Sequence, residues 1–97
     1  MDSRHKQIIT SNFVLLTREL PTTKILGYFL FDGLFSDRMV QEILETPPSR
    51  RNYQLISLLT RRGPRAYNCL LEALKACDRS DLIQALTLDS EIAKLTV

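Results

Sequence analysis

A chain of 97 residues suits one domain and leaves no room for a second, and 44% apolar with 25% charged residues is the balance of a globular protein, which excludes wholesale disorder. At this size roughly two-thirds of the unfolded surface is buried on folding, enough for one core without metal or disulfide staples. A net charge of +2 points by itself to no particular partner.

Helical periodicity recurs along the chain. Ile9, Phe13, Leu16 and Leu20 step by four, three and four, which predicts one apolar stripe over residues 4–20. Ser11 and Asn12 are poor mid-helix residues, because their side chains compete for backbone groups, and predict a bend or short break. Pro21 ends the helix by disfavouring α geometry at Leu20. Thr22 or Thr23 is expected to cap a second helix whose core residues are Ile25, Leu26, Phe29 and Leu30. Asp32-Gly33 stops it. Ser36 is the expected N-cap of a third helix with Met39, Val40, Ile43 and Leu44 inside. Thr46-Pro47-Pro48 separates that helix from a fourth, which starts near Pro48 or Ser49 and carries Leu55, Ile56, Leu58 and Leu59. At Gly63-Pro64 glycine closes one helix and proline opens the next. The fifth carries Ala66, Tyr67, Leu70, Leu71 and Leu74, and Ser80 is expected to cap a sixth containing Leu82, Ile83 and Leu86. Residues 87–97 extend that helix or begin a linker. Six short helices with brief connections imply an all-α antiparallel bundle.

Chemistry is scarce. No run reaches the ~18–20 uncharged residues of a membrane span, and residues 1–6 lead into a broken apolar pattern without a small-residue cleavage site, so no signal peptide is expected. The single histidine, His5, is expected to be solvated in a polar terminal turn, a poor base for a nucleophilic Cys69 or Cys77. Eight residues apart in one helix, those cysteines stand about 12 Å apart, too far for a disulfide. They read as free thiols of a reducing cytosol or nucleus, Cys69 as core filler and Cys77 as a helix end. Two cysteines and one histidine without C-x-x-C spacing make no zinc site. The scattered glycines cradle no phosphate, and no acid–base pair stands out, so no catalytic, cofactor or metal site is expected.

Charge is distributed unevenly. Residues 21–49 carry Asp32, Asp37, Glu42 and Glu45 against Lys24 and Arg38. Residues 50–65 carry Arg50, Arg51, Arg61, Arg62 and Arg65 with no acid.

The segment Arg61-Arg62-Gly63-Pro64-Arg65-Ala66-Tyr67-Asn68-Cys69-Leu70-Leu71-Glu72-Ala73-Leu74 resembles the stretch joining the fourth and fifth helices of caspase recruitment domains, particularly those of initiator-caspase prodomains. The broken first helix, Gly33-Leu34-Phe35 and the acidic-apolar third helix agree with it. The resemblance implies a six-helix bundle of the death-fold type, with the recruitment domain over residues 1–90 and a helix extension or linker over 91–97. In this segment Gly63 allows a sharp reversal, Pro64 presets a helix, and Tyr67 plugs the bundle; these three are read as specifying the fold.

The resemblance further implies assembly through opposite charges: a basic face of Arg50, Arg51, Arg18, Arg4 and Lys6 against an acidic face of Asp32, Asp37, Glu42 and Glu45. Thr10, Ser11 and Asn12 depart from the pattern, being neutral where some relatives are strongly basic. The partner would be the recruitment domain of an adaptor or apoptosome-type scaffold, in the cytoplasm, with catalysis residing in a region beyond these residues. Because the two faces differ, copies of the chain could also join into rings or helices. Neither membrane nor nucleic acid is an expected partner. An adaptor or free-standing regulator of the same fold, and a helical nucleic-acid binder using residues 50–65, are the alternatives. Charge reversal at Arg50 and Arg51 is expected to weaken binding without lowering thermal stability.

Overall fold

Asp2 starts the first helix by accepting a 2.9 Å hydrogen bond from the His5 N–H. In a computed structural model that describes the backbone of residues 1–95, and side chains as far as Leu88, helix α1 covers Ser3–Ser11 and α2 Phe13–Glu19. Asn12 lies between them, its amide side chain donating to the Ile8 carbonyl at 2.9 Å. The expected break is therefore present, made by a side chain that competes for a carbonyl of the preceding turn.

Helix α3 covers Thr22–Asp32. Its N-cap is Pro21, with no side-chain cap hydrogen bond; neither threonine fills that role. The Thr22 hydroxyl turns away to the Leu20 carbonyl and to the Asn52 side chain. Gly33 ends α3 at φ 83°, and the N–H groups of Leu34 and Phe35 both return to the Phe29 carbonyl. A left-handed residue is what this reversal requires, and glycine adopts it without steric cost. Ser36 then caps α4 (Asp37–Glu45), accepting from the Met39 N–H at 3.2 Å.

A 3-10 turn over Pro48–Arg50 leads into α5 (Arg51–Leu59), followed by α6 (Ala66–Ala76) and α7 (Ser80–Leu95). Ser80 is the first residue of α7, not its cap: the N–H groups of Leu82 and Ile83 return to the Arg79 carbonyl. Asp78, at φ 59°, makes the left-handed step before it. Gly63 takes no positive φ, and a Cβ there would meet open space. The α5–α6 reversal is instead made by hydrogen bonds from Arg61, Arg62 and Ala66 to Leu58, Leu59 and Gly63. Helix α7 continues past residue 90 to Leu95, while Thr96, Val97 and the side chains of Asp89, Glu91 and Lys94 lie outside the described residues.

The core is where the stripes meet. Helix α6 packs against both α3 and α7, α5 packs against α2, α3 and α4, and α7 closes on α1. Ile9, Leu16, Ile25, Phe29, Phe35, Ile43, Leu55, Leu59, Leu70, Leu74 and Leu82 are fully buried. Leu30 and Leu44, expected inside, are 38% and 37% exposed. Each lies next to a fully buried neighbour on the edge of its stripe, so only part of the side chain is covered. Among the described residues there is no strand, and no helix is long and apolar enough to cross a membrane. The six-helix bundle is present, with its first helix split into α1 and α2.

Two polar ties hold the corner where α2 ends. Asn52 of α5 donates to the carbonyls of Thr17 at 3.0 Å and Leu20 at 3.1 Å. Arg79 donates to the Glu19 carbonyl at 2.9 Å and grips Asp81 with two 3.0 Å bonds. Asn52→Ala leaves the α2 carbonyls without these partners and should cost about 1–2 kcal/mol, or roughly 5–15 °C in melting temperature. Differential scanning calorimetry measures that shift. The Arg79 hydrogen bonds, and after them its charge, hold the Asp81 carboxyl below its ordinary value of 3.8. The folded-state pKa is depressed, so this contribution is complete above the unfolded value and vanishes as pH falls through the folded one. Melting temperature should therefore fall below about pH 4, and Asp81→Asn should flatten that fall, as thermal melts at stepped pH would record.

Candidate protein-interaction site

Arg50 ends the 3-10 turn ahead of α5, and its side chain is exposed, without an ion pair or hydrogen bond among the described residues. It opens onto a groove of about 530 Å³ between α2 and α5, lined also by Phe13, Thr17, Thr46, Tyr53 and Gln54. Phe13 and Tyr53 meet edge to face across this groove, their ring centroids 5.4 Å apart. Tyr53 is 57% exposed, so the groove offers an apolar floor beside a free cation.

Arg51 stands next in sequence and behaves differently. Its Nε donates to the Thr46 carbonyl at 3.0 Å and a terminal nitrogen donates to the Leu44 carbonyl at 2.8 Å. Those carbonyls end α4 and have no partner within that helix, so Arg51 serves as its C-terminal cap. It approaches the acidic helix through backbone, and pairs with none of that helix's carboxylates among the described residues. Reversal of Arg51 would strand these two carbonyls, which runs against the expectation that it leaves stability unchanged.

Of the other predicted cations, Arg18 lies in the last turn of α2 beside the groove residue Thr17 and is exposed. Arg4 and Lys6 are exposed on α1. Two residues apart, they point about 160° away from each other, so they do not share one narrow face. Thr10 and Ser11 are exposed and uncharged, leaving α1 a weak contributor to positive potential. His5, expected to be solvated, stacks on Tyr67 with centroids 4.0 Å apart and an interplanar angle of 8°. Its Nδ1 lies 3.5 Å from an Asp2 carboxylate oxygen. Tyr67 is 5% exposed and plugs the bundle between α1 and α6; Pro64 is exposed in the turn ahead of α6.

The predicted acids also divide. Asp37, Glu42 and Glu45 are exposed on α4, within an arc of about 140°. Glu42 meets Arg38 of the same helix at 3.7 Å. Asp32 is half-buried and already occupied: it pairs with Arg65 at 3.0 Å and accepts a 3.2 Å hydrogen bond from the Cys69 thiol. Burial first, and then Asp32, push that thiol up to about 12, so Cys69 is protonated at physiological pH and inert as a nucleophile. Cys77 is the half-buried cap residue after α6, as expected. Among the described residues no cluster of metal-binding side chains occurs.

Sequence reading missed Phe31, which is 92% exposed near the end of α3. A signal was present: Phe31 lies about 200° around the helix from the buried Phe29, so it stands off the apolar stripe. Tyr53 escaped notice in the same way, just outside the stripe of Leu55, Ile56 and Leu59.

Two comparisons bear on these surfaces. The family model of the caspase recruitment domain matches residues 6–89. Caspase-2 of Gallus gallus is 27% identical over 85 residues, an alignment covering 87% of this chain and 20% of that protein. The chain thus spans about one-fifth of the length of that relative. With the bundle and the split first helix, the match establishes that this chain belongs to the caspase recruitment domain family.

Proposed function

We propose that this chain docks onto the recruitment domain of an adaptor or apoptosome-type scaffold and thereby gathers an initiator caspase in the cytoplasm, residues 1–90 forming the docking domain. A caspase recruitment domain is a non-catalytic interaction module that binds other domains of the death fold, in caspase and apoptotic signalling. The finer reading rests on one observation: Arg50 is a free cation on the open α2–α5 groove, whereas Arg51, Arg65 and Arg79 are engaged within the chain. Arg50, supported by Arg18, meets acidic side chains of the partner, and Asp37 and Glu45 offer the opposite contact to a further domain. Exposed ion pairs contribute about 0–1 kcal/mol each, so charge sets encounter and register while area and multiplicity supply strength. Protease domains carried to one platform reach a high effective concentration and pair.

The engaged arginines also weigh against nucleic acid. The acid-free segment does not form one basic stripe. Arg61 and Arg62 lie beyond the far end of α5, roughly 16 Å along from Arg50, and Arg65 is paired with Asp32.

Titration calorimetry against a panel of adaptor recruitment domains tests the reading. Arg50→Glu should weaken the binding member at least tenfold and leave the melting temperature unchanged; equal affinity would remove this face from the account. Arg51→Ala should lower the melting temperature by about 4–8 °C, because the Leu44 and Thr46 carbonyls lose a charged donor worth about 1 kcal/mol at this half-exposed position.

A further inference from the structure

The three tyrosines of this chain differ in how far their phenols are available from solution. Tyr67 is 5% exposed inside the bundle. Tyr28 is half-buried, and its hydroxyl donates to a Glu72 carboxylate oxygen at 3.2 Å. Tyr53 is 57% exposed, and its hydroxyl has no hydrogen-bond partner among the described residues. Phe13 packs edge to face against its ring and holds it at the α2–α5 groove. The surroundings of Tyr53 suit a phosphate. Arg50 precedes it by three residues, a spacing that makes helix side chains neighbours, and both line the groove. Arg50 has no carboxylate to leave, whereas Arg51 is held on the Thr46 and Leu44 carbonyls. Among the described residues no acid lines the groove. Ser49 shares it, but a serine hydroxyl stands one carbon from the backbone of the 3-10 turn, while the tyrosine hydroxyl stands across a ring.

From this juxtaposition of an open phenol and a free guanidinium, we infer that Tyr53 is a phosphorylation site, that Arg50 of the same chain binds its phosphate, and that the modification switches the docking face off. The inference rests on the docking face proposed above and supplies its regulation. The reaction is that of a tyrosine kinase with ATP. The Tyr53 phenol oxygen attacks the γ-phosphorus, the bond from that phosphorus to ADP breaks, and the phenolic proton passes to the base of the kinase. The product carries a charge of about −1.5 to −2 at neutral pH and three acceptor oxygens, to which a guanidinium can donate two parallel hydrogen bonds. Arg50 is then engaged within the chain, as Arg51 already is, and the remaining negative charge repels an acidic partner. Tyr53 is the third residue of α5, and negative charge in a first turn is favoured by the helix dipole, so the phosphate leaves the fold intact.

A chain carrying phosphotyrosine at position 53, made by genetic incorporation, provides the test. In phosphorus NMR titrations its second ionisation should fall at lower pH than in the same chain with Arg50→Ala, because a paired guanidinium favours the dianion. Its affinity for an adaptor recruitment domain that binds the unmodified chain should drop at least tenfold in titration calorimetry, and a tyrosine phosphatase should restore it. Thermal melts should place the phosphorylated chain at or above the unmodified one. Incubated with ATP and a panel of tyrosine-kinase catalytic domains, the folded chain should be labelled at Tyr53 by mass spectrometry, and Tyr53→Phe should take no label. No label, label on Tyr28 or Tyr67 in place of Tyr53, a second ionisation indifferent to Arg50, or a lowered melting temperature each overturns the inference. Adaptor binding that Arg50→Glu weakens and the phosphate leaves unchanged would overturn the switch alone and leave the docking face standing. Absence of binding by every recruitment domain tested would overturn the docking reading, with labelling and phosphorus NMR still deciding whether Arg50 reads a phosphate on Tyr53.

Discussion

Short helices end often, and each end leaves carbonyl groups without partners. At the ends of α2, α3 and α4 carbonyls are captured by side chains from elsewhere in the chain. Asn52 and Arg79 take the end of α2, Arg65 takes the Asp32 carbonyl at the end of α3, and Arg51 takes the end of α4. Each capture joins two helices as well as satisfying an acceptor. Asn52 fixes α5 to α2 where their apolar faces meet, and Arg65 fixes the approach to α6 against α3. Apolar burial supplies the bulk of the cohesion. The captures set which helix ends meet, because a guanidinium or amide offers directed donors that a leucine does not.

This arrangement determines the outward charge. A guanidinium bonded to backbone carbonyls or to a neighbouring carboxylate is poorly placed to leave for a partner, since departure strands its acceptors. Some charged side chains remain unengaged. Arg50 is free at the groove and Arg18 is exposed; Asp37 and Glu45 are exposed while Asp32 is paired with Arg65.

Features made by local chemistry were legible in the sequence. Asn12 breaks a helix by bonding four residues back, Gly33 supplies a left-handed step, and Ser36 caps the turn that follows it; each acts within a few residues of itself. What escaped was long-range or marginal. Arg79 bonds the Glu19 carbonyl from 60 positions away, and nothing in its neighbourhood announces that. Thr22 looked like a cap, but its hydroxyl faces Asn52, which only the packing of α5 brings near. Leu30 and Leu44 belong to the right stripes at their outer margins, where periodicity marks the face without giving its depth. The basic and acidic residues were identified as types, while their availability depended on contacts that spacing does not encode.

Solution NMR of the arginine side-chain Nε–H groups tests the central claim most directly, because exchange with water reports which guanidinium groups are held. Arg51 and Arg79 donate through Nε, at 3.0 Å to the Thr46 carbonyl and 3.0 Å to Asp81, and should exchange slowly. Arg50 should exchange at the rate of a solvated side chain and be the one that slows and shifts when a partner recruitment domain is added. Equal rates at all three sites, or a partner that perturbs Arg51 and leaves Arg50 untouched, would contradict the account.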